Sequence, residues 1–488
     1  MIFLKGDSMS KIYPYLMENL ALPVYDIVRG TYRFRFGKVL QKTQWLSREE
    51  IERLQTRNLR VLLKHAYESV PYYRRIFRQR GLSPCDIQSV DDLVKLPILT
   101  KADVRKNFED LISRGFPRSR LISYRSGGTG NQVKFYITKE QRSWEVAAEY
   151  RAYGWAGFRR GNRCFMFWAS PIDLSKYSSV VRRFAKTLER IFIVDTYVIS
   201  LEVLDRFAYL LGKFNPEIIR GYATSVYMMA KYLLETGVDY VRPRAVITNA
   251  ETLFDFMRET IEEAFSCPVF DSYGSREIGA LAAECEEHSG YHISVENVAI
   301  EFVREGKHVA AGEKGLIIVT SLRNFGMPFI RYKIGDVGRP SSEVCSCGRG
   351  LPLASQIEGR VSEFMAVYDK KSQRVVPVGP VYPVIIIALI QMPLKSVRVI
   401  QESLDKLVVK AVKDRGYSQK HTDFLLDYMH KFLGDDITIE VEFVHSIPPL
   451  PSGKRSSFIS KINSFEQSPN DGSGRSAKKR MMLRGNSR

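Results

Sequence analysis

Between about residues 120 and 340, short apolar runs alternate with segments of helical periodicity. No other feature of the chain restricts its fold as much. CFMFWAS, EIIRGYA, AVITNAE and PVFDSYG read as strands running into loops. AEYRAYGWAG, VLDRFAYLLGKF, SVYMMAKYLLETG and DFMRETIEEAF read as helices. Strands in alternation with helices give a sheet layered by helices. Such sheets take ligands at the carboxyl ends of their strands, which is where the polar motifs of this chain fall.

The flanking segments carry other patterns. Residues 10 to about 115 read as mostly helical. Ser47 with Glu50 forms a capping box ahead of a helix that Pro71 stops, and Thr100 with Asp103 opens another. Near Arg360 the pattern switches. VRVIQES, KLVVKAVKD and ITIEVEFVHSI read as strands, with SQKHTDFLLDYMHKFLG as a helix among them. The expected architecture is a large α/β N-terminal domain with helix-covered sheets and a small α+β C-terminal domain. Its boundaries are an N-terminal extension with helical character over 1–44, the large domain over 45–359, the small domain over 360–465 and a disordered basic tail over 466–488.

At 488 residues the chain is too long for one ordinary core. Its 44% hydrophobic and 26% charged residues are ordinary for a globular protein. No apolar run reaches the 18 or so residues of a membrane span. MIFLKGDSMSK is too short and too charged for a signal peptide, and Met9 is an alternative start. The expected location is therefore the cytoplasm, with the inner face of the membrane as the variant of it. The formal charge of +19 admits nucleic acid, an anionic membrane surface or anionic small molecules such as ATP. The excess is spread along the chain, and only residues 475–488 form a dense basic cluster. No RNA-recognition, helix-turn-helix or zinc-finger pattern accompanies it, so no specific nucleic-acid partner is expected. The aromatic, basic segment YPYLMENLALPVYDIVRGTYRFRFGK suits either packing against the protein body or peripheral association with a membrane.

Four motifs carry chemistry. YRSGGTGNQVKFYITKEQ (124–141) offers backbone N–H groups, hydroxyls and Lys134 to a polyanion, or forms a plain glycine-rich hairpin turn. It is not a Walker loop, because Gly-Lys-Ser/Thr is missing. FDSYGSREIG (270–279) sets Glu277 just past a strand, where a carboxylate suits magnesium on phosphates; a solvated loop glutamate is the plainer reading. In FIRYKIGDVG (329–338) Gly335 makes a turn and Asp336 presents two acceptors to ribose hydroxyls, or an Asx turn between strands. PPLPSGKRSS (448–457) holds Lys454 in a loop that can swing into a site, or leaves it an ordinary surface lysine.

In this order, and with TNAETL and IEGR between them, the motifs resemble the adenylate-forming superfamily of acyl-CoA synthetases and luciferases. HAYESVPYYRRIF, LPILTKADVR and CSCGRGLP resemble its phenylacetate–CoA ligase-like branch, which includes proteins linked to capsular polysaccharide synthesis. The resemblance spans about residues 45–460. It implies ATP-dependent activation of a carboxylic acid as an acyl adenylate, with CoA or a glycan precursor as acceptor, or else a non-catalytic glycan-assembly scaffold. Ser126, Gly127, Gly128, Thr129 and Gly130 would then cover the ATP phosphates. Glu251 would lie near adenine, Tyr273 would stack on it, and Gly274 and Ser275 would line the acyl side. Glu277 would bind Mg²⁺, Asp336 and Arg360 would hold the ribose, and Lys454 would bridge carboxylate and α-phosphate. The small domain would be mobile, pivoting near Gly359 and Arg360. Two positions depart from the family pattern. Glu363 stands where the hinge usually carries aspartate, and the phosphate loop lacks the common proline.

Six cysteines are present, and in a reducing compartment clustered ones suggest metal rather than disulfides. Members of the branch can carry a structural zinc. Cys285, His292, Cys345 and Cys347 supply a four-ligand set for it, with His288 as the alternative to His292.

Overall fold

The computed structural model describes residues 7–126, 133–168, 186–196, 201–360, 364–369, 374–380, 392–433, 437–448 and 458–462. Gly127, Gly128, Thr129, Gly130, Glu363, Lys454 and the 466–488 tail lie outside these residues, as does the side chain of Arg360. The chain divides between Glu358 and Gly359 into two compact units.

The first unit opens with helices α1 (Asp7–Leu16), α2 (Leu22–Arg29), α3 (Arg33–Thr43), α4 (Arg48–Ser69), α5 (Pro71–Gln79) and α6 (Lys101–Lys106). The Ser47 hydroxyl accepts from the Glu50 N–H at 3.2 Å, and the Ser47 N–H donates to the Glu50 carboxylate at 2.9 Å. That capping box satisfies two donors at the start of α4. Leu59, Leu62, Leu63 and Ala66, at helical spacing, are fully buried in the main core. Pro71 ends α4 and opens α5, at a position where its missing N–H leaves no bond unmade.

A hairpin of β1 (Leu121–Ser126) and β2 (Val133–Thr138) follows, with Ser126 paired to Val133. The layered region then runs α7 (Lys139–Trp155), β3 (Cys164–Trp168), β4 (Ile191–Asp195), α8 (Leu201–Phe214), β5 (Ile218–Tyr222), α9 (Ala223–Thr236), β6 (Ala245–Asn249), α10 (Asp255–Phe265) and β7 (Val269–Ser275). Strands β4, β3, β5, β6 and β7 pair in parallel in that spatial order. β5 is buried at every residue, as a parallel strand covered on both faces must be.

Beyond α10 the alternation of strand with helix stops, earlier than the sequence pattern suggests. β8 (Gly279–Glu284), β9 (Tyr291–Ile293), β10 (Val298–Arg304), β11 (Lys307–His308), β12 (Gly315–Ser321), β13 (Tyr332–Pro340) and β14 (Leu353–Arg360) are all strands. They extend the sheet to twelve strands, in the order β11-β10-β12-β13-β14-β9-β8-β7-β6-β5-β3-β4. Gly335 makes no turn between strands. It sits inside β13 at φ +95°, where the pairing with β12 shifts register, so its conformational freedom serves a bulge.

One buried ion pair ties the helical entry to this sheet. Arg151 on α7 and Glu296 are 2.7 Å apart and 1–2% exposed, and Thr43 at the end of α3 donates to the same carboxylate at 2.5 Å. Glu296→Ala leaves the arginine buried without its partner, and we expect a loss of about 3–5 kcal/mol. Urea unfolding followed by circular dichroism should show a correspondingly lower midpoint. An unchanged midpoint would mean that water or another acid replaces the lost partner.

The second unit holds the hairpin β15 (Phe364–Asp369) and β16 (Arg374–Pro380), then β17 (Leu394–Ser403), β18 (Lys406–Lys413), α11 (Gln419–Leu433), β19 (Thr438–Phe443) and β20 (Phe458–Ser460). The last four strands form a mixed sheet in the order β19-β18-β17-β20. Leu425 and Met429, one helical turn apart on α11, close its core over Val399, Leu407, Val409 and Phe458. The large mixed α/β unit followed by a small α+β unit is the fold class expected from the sequence. Among the described residues, no helix is long and apolar enough to cross a membrane.

Candidate active site

The parallel strands end at Trp168, Tyr222, Asn249 and Ser275, and the polar motifs gather along this edge. Tyr222 and Trp168 close on each other with ring centroids 4.9 Å apart. Glu251, just past β6, accepts the backbone N–H of Thr224 at 3.0 Å, in the first turn of α9. The residue between strand and glutamate, Ala250, is held at φ +67°, a left-handed conformation uncommon outside glycine.

Glu277 lies in the tight turn from β7 to β8 and is 7% exposed. Two hydroxyls donate to its Oε1: that of Ser126, at the tip of the β1 strand, and that of Tyr332, at 3.2 Å. Both bonds fall on one oxygen, which leaves Oε2 as the face for a cation. The residues present therefore fit a magnesium ion here. Gly274 lets the turn close, since a Cβ there would stand 2.7 Å from the Gly279 carbonyl oxygen. Gly279 in turn lies against the side chain of Glu145, from α7. Burial pushes the Glu145 carboxyl up to about 7, against the opposing pull of Arg142.

Tyr273 on β7 donates its hydroxyl to Asp336 Oδ2 on β13 at 2.7 Å. These strands are four steps apart in hydrogen-bonded order. A flat sheet would separate them by about 19 Å at some 4.8 Å per step. The sheet must therefore turn back on itself between them, and the turn brings the two motifs together. Two residues earlier on β7, Asp271 accepts from Thr248 at 2.7 Å and Tyr291 at 2.8 Å, which fixes the strand. Burial raises its carboxyl to about 6, with the neighbouring Glu284 adding to the shift.

Two hydroxyl–carboxylate pairs are thus formed, Ser126 with Glu277 and Tyr273 with Asp336, while Glu251 attaches to α9. Ser275 ends β7 and accepts from the Ile278 N–H at 3.2 Å, inside the turn that carries Glu277. Arg360 closes β14. Tyr332 is the site residue that sequence reasoning passed over. It stands four residues before Asp336 in β13.

A second cluster lies at the other end of β8. Cys285 follows that strand, His292 is on β9, and Cys345 and Cys347 occupy the loop between β13 and β14. Their ligand atoms lie within 4.8 Å of one another. A zinc tetrahedron with Zn–S of about 2.3 Å and Zn–N of about 2.0 Å has edges of about 3.5–3.8 Å. Cys285 Sγ and Cys345 Sγ are 3.6 Å apart, and Cys347 Sγ and His292 Nε2 are 3.4 Å apart. The residues fit the ion. The sulfur separation is far beyond a disulfide bond. His292 Nδ1 meets the Leu351 carbonyl oxygen at 3.2 Å, which turns Nε2 towards the thiols. Burial lowers this imidazole to about 4, so it stays neutral as a metal ligand must be. His288 turns away, with Nδ1 3.4 Å from Glu284 and its ring against Phe270.

Residues 380–461 match the CapK C-terminal domain. The chain is 28% identical to Protein CapK of Staphylococcus aureus over 449 residues, covering 87% of this chain and 95% of that one. It is 26% identical to the phenylacetate-coenzyme A ligase of Thermus thermophilus over 331 residues, 66% of this chain and 73% of the relative. The crystal structure of 2-hydroxyisobutyryl-CoA ligase in the postadenylation state, in complex with R3-HIB-AMP, superposes with a TM-score of 0.66 at 19% identity, over 91% of this chain and 94% of that one. Motif order, relatives and fold agree in likening the chain to the adenylate-forming, ligase-type enzymes, and among them to the phenylacetate–CoA ligases and CapK.

Proposed function

We propose that the protein activates a carboxylic acid with ATP and passes the acyl group to the thiol of CoA. The observation that carries this reading is the convergence of Ser126 and Tyr332 on Glu277, beside Tyr273 on Asp336. A carboxylate alone is a poor acyl donor, because its leaving group would be oxide. In the first step a carboxylate oxygen attacks the α-phosphorus of ATP and pyrophosphate departs. In the second the CoA sulfur attacks the acyl carbon, the C–O bond breaks, AMP departs and the thiol proton passes to solvent.

The first step brings two anions together, so it needs positive charge placed in advance. Magnesium at Glu277 would offset the charge on the phosphates. Ser126 and Tyr332 hold that carboxylate in place. Asp336, oriented by the Tyr273 hydroxyl, takes the ribose hydroxyls, and the Tyr273 ring offers its face to adenine. Backbone N–H groups of Gly127, Gly128, Thr129 and Gly130 cover the phosphates, and Arg360 supports the ribose. Glu251 marks the adenine side, while Gly274 and Ser275 line the acyl side. Lys454 bridges the attacking carboxylate and the α-phosphate. Cys285, His292, Cys345 and Cys347 would hold a zinc ion that ties the chain together structurally and supplies no catalytic chemistry.

The test is acid-dependent ATP–pyrophosphate exchange across a panel of carboxylic acids. Exchange with none of a broad panel would point to the scaffold reading, against which both Glu277 and Lys454 stand. Lys454→Ala should slow exchange by about 30-fold to 1,000-fold, equivalent to about 2–4 kcal/mol of transition-state stabilisation. Near-normal exchange by this variant would remove Lys454 from the mechanism. The alternative acceptor, implied by the sequence resemblance to proteins linked to capsular polysaccharide synthesis, is a sugar or lipid-linked glycan precursor. CoA-dependent release of AMP separates the two acceptors.

A further inference from the structure

The N-terminal helices present an unusual surface. α1, the π-helical turn Met17–Ala21 and α2 run on from one another. One side packs on the protein body. The Tyr13 hydroxyl donates to the Leu188 carbonyl at 2.6 Å, Glu18 pairs with Arg159 at 2.6 Å, and Asp26 is buried, accepting from the Phe34 N–H at 2.7 Å. The other side is open and apolar. Ile12, Leu16, Leu20, Val24 and Val28 recur every fourth residue and are all exposed, together with Tyr15 and Ile27. Leu20 is 62% exposed, Val28 75% and Ile27 82%. In an α-helix an every-fourth series drifts around the axis. The wider π turn in the middle rotates less per residue and holds the series nearer to one face.

The charges on this segment are sorted as well. Residues 12–45 contain two acids, Glu18 and Asp26; Asp26 is buried, and Glu18, 31% exposed, is paired with Arg159. The five cations are Arg29, Arg33, Arg35, Lys38 and Lys42. Tyr25, Tyr32 and Trp45 are exposed among them. An apolar stripe with aromatic flanks, several cations and acids that are all paired is the composition of a helix that lies in a bilayer interface. The basic cluster at 475–488 has the same sign of charge and cannot neutralise it.

We propose that this face docks the protein on an anionic phospholipid surface, with Ile12, Leu16, Leu20, Val24, Ile27 and Val28 entering the acyl boundary and Arg29, Arg35 and Lys38 meeting the headgroups. The inference does not depend on the proposed catalysis, because none of these residues belongs to the site. The test is flotation of the full chain with vesicles of phosphatidylcholine alone and of phosphatidylcholine with about one-third phosphatidylglycerol. The full chain should float with the anionic vesicles, much less with the neutral ones, and less at high salt. Ile27→Glu with Val28→Glu should weaken binding about tenfold or more. Both positions are exposed, so the melting temperature and ATP–pyrophosphate exchange should be unchanged. A second, charge-only variant, Arg35→Glu with Lys38→Glu, should weaken binding while leaving the apolar stripe whole. Failure of the full chain to float with anionic vesicles would overturn the proposal, as would equal flotation by the Ile27/Val28 variant. A concentration-dependent dimer abolished by that variant, without vesicle binding, would overturn it in favour of a second copy of the chain.

Discussion

Glu277→Gln should slow acid-dependent ATP–pyrophosphate exchange by about 100-fold to 1,000-fold while the melting temperature moves little. The size follows from removing one fixed charge from a buried site where charge must be balanced, about 3–4 kcal/mol by analogy with a lost oxyanion donor. The small effect on stability follows from the local bonding. The glutamine amide oxygen can still accept from the Ser126 and Tyr332 hydroxyls, so the turn between β7 and β8 keeps its anchors. What is lost is the negative charge that would hold magnesium. Tyr332→Phe provides the graded control. It removes a neutral hydrogen bond worth about 1 kcal/mol and leaves the carboxylate, so exchange should fall by only about fivefold. Exchange by Glu277→Gln within about threefold of the unmodified protein, or less activity for Tyr332→Phe than for Glu277→Gln, would show that the carboxylate does not carry the phosphate charge.

The local signals that the sequence carries are those with short range. Capping at Ser47 and Thr100 and the strands ending at Tyr222, Asn249 and Ser275 need only neighbouring residues to be read. Glycine at 274 is intelligible once the turn is seen, since the Gly279 carbonyl occupies the space of a side chain. The long-range geometry was not legible. Nothing in FDSYGSREIG or FIRYKIGDVG says that Tyr273 bonds Asp336, because that contact depends on the sheet turning back across β8, β9 and β14. The same folding hides the reason for Tyr332, whose hydroxyl has meaning only beside Glu277. The antiparallel extension after α10 was also hidden. A half-buried strand and a short helical segment give similar apolar patterns, and periodicity alone does not separate them. At 335 a glycine ahead of an aspartate suggests a turn, whereas the backbone freedom serves a bulge that lets β13 continue to Asp336.

The metal cluster allows a sharper test than the catalytic residues, because its readout needs no substrate. Protein purified without chelators should contain about one zinc per chain. Cys345→Ser with Cys347→Ser should abolish it and lower the melting temperature by several degrees. The physical reason is topological. Cys285 precedes the short β9 and His292 lies within it, whereas Cys345 and Cys347 stand in the loop before β14, which pairs with β9 in register at Leu353 and Ala354. Two residue pairs are a weak seam in a sheet that must turn sharply here, and a four-ligand ion would join its two sides. Metal binding contributes directly to folding at such sites. His292→Ala should lower zinc affinity while leaving three sulfur ligands, so its melting temperature should fall between those of the unmodified protein and the double serine variant. His288→Ala should leave the zinc content unchanged, since that imidazole faces Glu284 and Phe270. Metal-free protein that melts at the same temperature before and after the double serine substitution would reduce the cluster to a group of free thiols. Zinc lost from His288→Ala but retained by His292→Ala would exchange the two histidines' roles.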